Sequence, residues 1–256
     1  SHWHSLICSI ILKTLHNLHP PSSQERNRMP ATIPQFNSVE ELVDATTDNM
    51  VQAVPHYAYK VFEDKTFRRL TKFQKISVQE RDFIFNELVV GNLVLVMLML
   101  EAPDLRVSDD MRKYFADLSK KLPEAYIRLM RSRGIEEKYL GDWRKLIKMR
   151  YDEYNGDRHG VRAGNMELES RNKQLTKRDL ELIQMTVPVQ AVGIGCFVHI
   201  CHGKTDGRED LLSHLVKSFG EFYLEFRVHF EGGKITPLKR AKSKLRSLVR
   251  RKLGRR

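Results

Sequence analysis

Residues 88–100 read LVVGNLVLVMLML, thirteen consecutive positions at which only Gly91 and Asn92 interrupt the apolar side chains. The run is too short to cross a bilayer as a helix. It continues a helical pattern that begins near residue 78 and ends near residue 101, just before Pro103. A helix that is apolar on every side has to be covered by other elements. The run therefore predicts the central core helix of a folded domain.

Helix start signals place further helices on both sides of this core helix. Ser38, Ser77 and Thr176 each precede an acidic residue by three positions, which is the pattern of a capping box. Ser108 precedes two aspartates, which suit the positive end of a helix dipole. The signals predict helices near 39–53, 78–101, 109–132, 135–151, 177–187 and 208–230. The expected fold is all-α, an irregular bundle of about six helices followed by a basic amphipathic C-terminal helix.

The predicted helix at 208–230 shows the clearest periodicity. Its large apolar residues recur at helical spacing and make one stripe, which is typical of a helix that packs on a core. The stripe comprises Leu212, Leu215, Val216, Phe219, Phe222, Tyr223, Phe226 and Phe230. On the opposite face lie His214, Glu221, Glu225 and His229, which are expected to face water rather than to bind a metal.

The segment Ile183–Ile200 carries no formal charge when His199 is neutral. Pro188 is expected to end or kink the preceding helix. Residues 189–200 are then expected to form a second buried helix, in preference to a buried strand. A membrane span remains an alternative, which Gln184, Thr186 and Gln190 weaken.

The net charge of +12 is concentrated at one end of the chain. Residues 234–256 hold eleven Lys or Arg and no acidic residue, and residues 1–28 have a balance of +2. Residues 29–233 therefore carry about −1. The pI of 9.6 therefore results mainly from residues 234–256 and does not indicate a basic surface over the whole body.

The basic tail, residues 234–256, predicts an amphipathic helix from Pro237, with Thr236 as its N-cap. Its apolar stripe comprises Leu238, Ala241, Leu245, Leu248, Val249 and Leu253. The cations expected to bind a polyanion are Lys239, Arg240, Lys242, Lys244, Arg246, Arg250, Arg251, Lys252, Arg255 and Arg256. Nucleic acid, an anionic membrane and an acidic protein would each suit this pattern, and so would a solvated helix that keeps the protein soluble.

Four residues with soft ligand atoms, Cys196, His199, Cys201 and His202, lie within seven positions. Three of them share a spacing of three residues, so neighbours on a helix could reach one ion. Structural zinc sites usually take two separated ligand pairs, and no second pair is visible. We therefore expect buried structural residues and no cofactor, with zinc or another transition metal as the alternative.

The segment Tyr154–Asn165 contains three glycines and is expected to be a mobile loop between two helical groups. Arg158, His159 and Arg162 in it could hold a phosphate, although a solvated linker is preferred. Gly203, Lys204 and Thr205 resemble the end of a phosphate-binding loop, but Val198 occupies the position of its first glycine. A polar turn is expected there.

Three regions are expected: an upstream or targeting segment at 1–28, a helical domain at 29–233 with a subdivision near 155, and the basic tail. Three sparse cysteines favour a reducing compartment such as the cytoplasm, with organellar targeting as an alternative. The preferred function is a non-enzymatic protein whose tail binds nucleic acid, RNA before DNA. The alternatives are a peripheral protein on anionic membranes and a metal- or cofactor-dependent helical enzyme. Oligomeric state and enzyme activity do not follow from the sequence.

Overall fold

The computed structural model describes residues 38–105, 107–171 and 174–230. Within these ranges the chain forms α-helices and one 3₁₀ turn at Phe73–Lys75, and no strand. The seven helices are α1 (Val39–Phe62), α2 (Lys65–Leu70), α3 (Val78–Leu100), α4 (Asp109–Ser132), α5 (Glu137–Ser170), α6 (Lys177–Ile200) and α7 (Glu209–Phe230). The predicted all-helical bundle is confirmed. The predicted helix from 237 and the segment 1–28 lie outside the described residues.

The helix starts follow from local capping chemistry. The hydroxyl of Ser38 accepts a hydrogen bond from the backbone N–H of the third residue of α1, at 3.1 Å, and Ser77 does the same for α3, also at 3.1 Å. At Thr176 both halves of the capping box form, because its backbone N–H also donates to the Asp179 carboxylate at 3.0 Å. Ser108 is the N-cap of α4, but its side chain makes no capping hydrogen bond.

Helix α3 is the centre of the bundle, as the apolar run predicts. Every residue from Leu88 to Leu100 is buried. The helix packs against all the other long helices, α1, α4, α5, α6 and α7. Around it α1 neighbours α4, α4 neighbours α5, α5 neighbours α6, and α6 neighbours α7. Five helices therefore share one core through their contacts with α3.

The glycine within α3 allows one of these contacts to be close. A Cβ at Gly91 would lie 3.0 Å from Cζ of Phe219 on α7. An added side chain would require the Phe219 ring to shift, because close-packed interiors leave little room for added atoms. Gly91, which interrupts the apolar run, therefore allows the Phe219 ring of α7 to pack closely on α3.

Helix α1 is longer than predicted and contains Pro55. The predicted end near residue 53 is wrong because packing beyond the proline outweighs its local cost. Ala58 and Phe62 are buried, and the ring of Tyr57 lies 4.5 Å from the ring of Phe222. The contact between Tyr57 and Phe222 joins α1 to α7.

Helix α5 is also longer than predicted, since it continues to Ser170. The expected loop at Tyr154–Asn165 is wrong: the whole segment is helical. Tyr154 is fully buried against α6, and the Asn165 amide donates to Gln190 of α6. This antiparallel packing stabilises the helix against the three glycines of this segment, which each cost about 1 kcal/mol relative to alanine.

Helix α6 runs through Pro188 without ending, so the two segments predicted on either side of it form one helix. The preference for a helix over a strand at 189–200 is confirmed. Among the described residues, α3 and α6 are long and apolar enough to cross a membrane. A core helix passes the same test, and 89% of the relevant window of α3 and 61% of that of α6 are buried in the fold.

Candidate functional site

The cluster that the sequence singles out lies at the C-terminal end of α6, where the helix stops at Ile200. Cys196 is fully buried, and its Sγ lies 3.8 Å from the backbone carbonyl oxygen of Glu87 on α3. Cys201 is buried as well. The His199 ring faces the carboxylate of Glu153 on α5, with Nε2 2.8 Å from Oε1.

His202 is directed elsewhere. Its φ is +50°, so it has left the helix, and helical spacing no longer relates its side chain to that of His199. The ring stacks on Phe83 at 5.0 Å between centroids, and Nε2 lies 2.8 Å from Oε1 of Glu80. Both Phe83 and Glu80 belong to α3.

Cys196 and His202 thus contact different parts of α3, whereas His199 contacts Glu153 on α5. In residues 38–105, 107–171 and 174–230 no group of three His, Cys, Asp or Glu is placed to hold a metal ion. Burial, followed by the negative charge of Glu87, raises the pKa of the Cys196 thiol well above its ordinary value. A protonated thiol is a poor ligand and a poor nucleophile. The structural role expected for the cluster stays a prediction.

The cluster adjoins a buried ionic network that the sequence analysis did not find. Arg150 of α5 donates two hydrogen bonds to the carboxylate of Glu87 of α3, from Nη2 at 2.7 Å and from Nε at 3.0 Å. The side chains are 11% and 2% exposed. Burial acts to lower the pKa of Arg150, but the hydrogen bonds and charge of Glu87 more than offset it, so that pKa is raised.

The network continues towards the surface. Nη1 of Arg150 lies 3.3 Å from Glu153, which contacts His199 in turn. Two carboxylates, a guanidinium and an imidazole thus connect α3, α5 and α6. Such groups are found in acid–base sites, but here both oxygens of Glu87 are occupied by Arg150. The network therefore fits a role in holding the three helices together.

Tyr154 lies beside this network and is fully buried, and its hydroxyl has no hydrogen-bond partner in the described part of the chain. Burial first, and then electrostatic interaction with Cys196 and Glu87, raise the pKa of Tyr154 far above its ordinary value. The ring packs against Gly195 so closely that a Cβ there would overlap it. Tyr154 therefore acts as a neutral packing residue at the contact between α5 and α6.

One small cavity lies away from the network, near the C-terminal half of α4. It has a volume of about 10 Å³, the room of one water molecule. Its walls are made by Pro55, Tyr126, Leu129, Met130, Arg133 and Ile135. This space is too small for a substrate.

The other residues that the sequence suggested for phosphate or metal binding also have defined positions in the fold. Arg158, His159 and Arg162 lie within α5, where the backbone N–H groups serve the helix and are not free to bind a phosphate. Lys204 is exposed in a turn in which Gly203 has a φ of +74°, as expected for a polar turn. His214 differs from the expectation, because its side chain is only 17% exposed and lies 3.4 Å from Asp64.

The polyanion-binding residues predicted at 239–256 lie outside the described residues. No family model, no curated protein and no solved structure matches this chain.

Proposed function

We propose that this protein is a non-enzymatic helical binding protein whose basic tail contacts the phosphate backbone of nucleic acid, RNA before DNA. The observation that carries the proposal is the separation of charge. The tail holds eleven cations and no acid, whereas residues 29–233 have a net charge of about −1. A dense unopposed row of Lys and Arg binds phosphates and releases their counterions.

The folded body supports this division, because many of its surface charges pair with each other. Asp44 accepts from Lys121 at 2.9 Å, and Asp48 accepts from Arg128 at 2.8 Å, which joins α1 to α4. Glu124 likewise pairs with Arg144 at 2.9 Å, which joins α4 to α5. Acids used in this way are less available to neutralise the tail.

The proposal includes an amphipathic helix for the tail from Pro237. The stripe that contains Leu245 and Leu248 has no aromatic residue, so the attraction to a neutral membrane would be small. Charge would then provide most of the affinity. A phosphate backbone fits such a surface better than a lipid bilayer does.

The test is a salt titration of binding to RNA, duplex DNA and anionic vesicles by the intact chain. A tail variant replaces Lys244, Arg246, Arg250 and Arg251 by Gln, and a second protein lacks residues 234–256. If about six phosphates of a duplex are contacted, log K falls against log salt with a slope of about −5. We expect the tail variant to bind more weakly with a shallower slope, and the truncated protein to lose most of its affinity. Unchanged affinity in both would contradict the proposal.

Binding to vesicles distinguishes the peripheral membrane protein from the proposed RNA-binding protein. That alternative requires anionic lipid and predicts weaker binding when Leu245 and Leu248 are replaced by Ser, because the apolar stripe then contributes to the affinity. RNA binding is expected to be insensitive to these two changes. Vesicle binding without RNA binding would favour the peripheral membrane protein.

A metal-dependent enzyme is tested on the same preparation. Elemental analysis of the purified protein, followed by zinc titration, measures whether one equivalent is bound. Loss of that equivalent in both His199→Ala and His202→Ala would establish a site in the cluster at the end of α6. We expect no such dependence, because the two rings face different carboxylates, Glu153 and Glu80.

A further inference from the structure

A local excess of positive charge lies on the surface of the described body, at α2 and the turn that follows it. Residues 65–75, which form α2 and the following 3₁₀ turn, contain five Lys or Arg and no Asp or Glu. Lys65, Arg69, Lys72 and Lys75 are exposed. Among the described residues, none of these four forms an ion pair with an acid. We call these four side chains the basic turn.

The acids that flank the basic turn are already engaged. Glu63 accepts from Arg68 at 2.6 Å, which leaves Arg68 outside the set of free cations. Asp64 caps α2 by accepting from the backbone N–H groups of Thr66 and Phe67 at 2.8 and 2.9 Å. Glu80 at the start of α3 contacts His202. These contacts do not remove the charges of Asp64 and Glu80, but residues 63–82 still hold six Lys or Arg against four Asp or Glu, so a positive excess remains available to an external anion.

The backbone under the basic turn is held in place from the inside. Phe67 is fully buried and Phe73 is 8% exposed. The ring of Phe73 is contacted by the guanidinium groups of Arg68 and Arg81, at 4.7 and 4.8 Å from its centroid. Arg81 also donates to the backbone carbonyl of Phe73 at 3.1 Å. The exposed cations thus extend from a scaffold that is anchored in the core.

The spacing suits a chain of negative charges. Lys65 and Arg69 are four residues apart on α2, so their Cβ atoms are about 5–6 Å apart on one face. Lys72, with a φ of +53°, lies just after α2, and Lys75 lies in the 3₁₀ turn, so the four exposed cations fall within one short segment. The two large aromatic side chains of the segment, Phe67 and Phe73, point inward, so the surface lacks the aromatic anchor that favours lipid insertion.

We propose that the basic turn is a second phosphate-contacting surface, which binds the backbone of the same RNA that the tail meets. The inference rests on the proposed function for the nature of the ligand, but on the folded body for the site. Two basic surfaces, one in the tail and one on a rigid element, would hold the RNA in a defined orientation. Backbone contacts of this kind position a nucleic acid without reading its sequence.

The test compares variants of the full chain that each remove four positive charges. The turn variant replaces Lys65, Arg69, Lys72 and Lys75 by Gln. The control variant replaces Lys113, Lys120, Lys177 and Arg178 by Gln; these exposed cations lie on α4 and α6 and form no ion pair with a described acid. The tail variant is the one defined above. The probe is a single-stranded uridine oligonucleotide, and anionic phosphatidylserine vesicles form a separate arm.

Each phosphate contact to a single strand contributes about −0.7 to the slope of log K against log salt. We expect the turn variant to have a slope shallower by about 3, and an affinity about tenfold or more lower in about 0.1 M salt. The control variant should lose much less. If the fourfold change lowers the thermal midpoint, the pair Lys65→Gln and Lys75→Gln is used, with an expected slope change of about 1.4.

The outcomes separate the two proposals. Loss in the turn variant and the tail variant, but not in the control variant, supports both. Equal binding by the turn variant and the control variant overturns the second surface and leaves the tail proposal standing. Loss in the turn variant alone supports the second surface and overturns the role of the tail. Loss of vesicle binding with intact oligonucleotide binding overturns the choice of RNA, and no binding by the unmodified chain overturns both proposals.

Discussion

Replacing Arg150 by Met tests whether the ionic network fixes the arrangement of α3, α5 and α6. Methionine keeps most of the length of the arginine but removes the two hydrogen bonds to Glu87, whose side chain is 2% exposed. The carboxylate is then left buried without its cation. Removing one partner of a buried pair typically costs 3–5 kcal/mol, and we expect a loss of about 4 kcal/mol in the free energy of unfolding.

The measurement is equilibrium denaturation with urea, supported by the thermal midpoint. For a domain of this size the loss corresponds to a midpoint lower by roughly 8–16 °C. Arg128→Met is the matched control, because Arg128 pairs with Asp48 at 2.8 Å but both side chains are about half exposed. Its expected cost is about 1 kcal/mol or less.

The double variant Glu87→Leu, Arg150→Met separates an unpaired charge from lost packing. Replacement of a buried ion pair by apolar residues is often neutral or stabilising. We expect the double variant to recover most of the stability lost in Arg150→Met. A cost for Arg150→Met no larger than that of the Arg128 control, or no recovery in the double variant, would refute the reasoning.

Gly195→Ala should destabilise the fold by about 1–3 kcal/mol, because its Cβ would overlap the ring of Tyr154, whereas Gly160→Ala, in open space on a helix, should stabilise it by about 0.5–1 kcal/mol. Equal effects in urea denaturation would contradict the packing argument. Tyr154→Phe removes a buried hydroxyl that has no partner among the described residues, so the free energy of unfolding should stay the same or rise. A large loss would mean that the hydroxyl is bonded. Burial, followed by the hydrogen bond to Glu101, raises the pKa of Tyr151 to about 12. The unfolded phenol ionises first, so this contribution to stability is present below pH 10 and is lost as the pH rises to about 12. The decrease in the free energy of unfolding between pH 10 and about 12 should be smaller in Tyr151→Phe. Identical dependence on pH in the variant and the unmodified chain would contradict this prediction.

The parts of the fold that local chemistry determines could be predicted from the sequence. The starts of α1, α3 and α6 follow from Ser38, Ser77 and Thr176, and the central position of α3 follows from its apolar run. Where tertiary packing outweighs propensity, local rules give the wrong boundary. Pro55 and Pro188 lie inside helices whose following turns are buried.

The site could be predicted less well, because its members are far apart in sequence. Glu87 and Arg150 are 63 residues apart, and only the folded arrangement of α3 and α5 brings them together. A charged residue at the edge of the apolar run was the one available signal, and it does not identify the partner. The spacing of Cys196, His199 and His202 was misleading because α6 ends at Ile200, before His202.

The two parts of α5, before and after residue 155, are expected to differ in local stability although the helix is continuous. From Leu140 to Tyr154 the helix places five residues in the core, whereas no described residue between 155 and 182 is buried. The outer part also contains Gly156, Gly160 and Gly164, whose conformational freedom favours opening. Amide protons of the outer turns should therefore exchange with solvent through local opening. Those near Tyr154 should exchange only when the whole bundle unfolds. The outer turns of α5 and α6 would thus open and close as a separate unit on a core that stays folded.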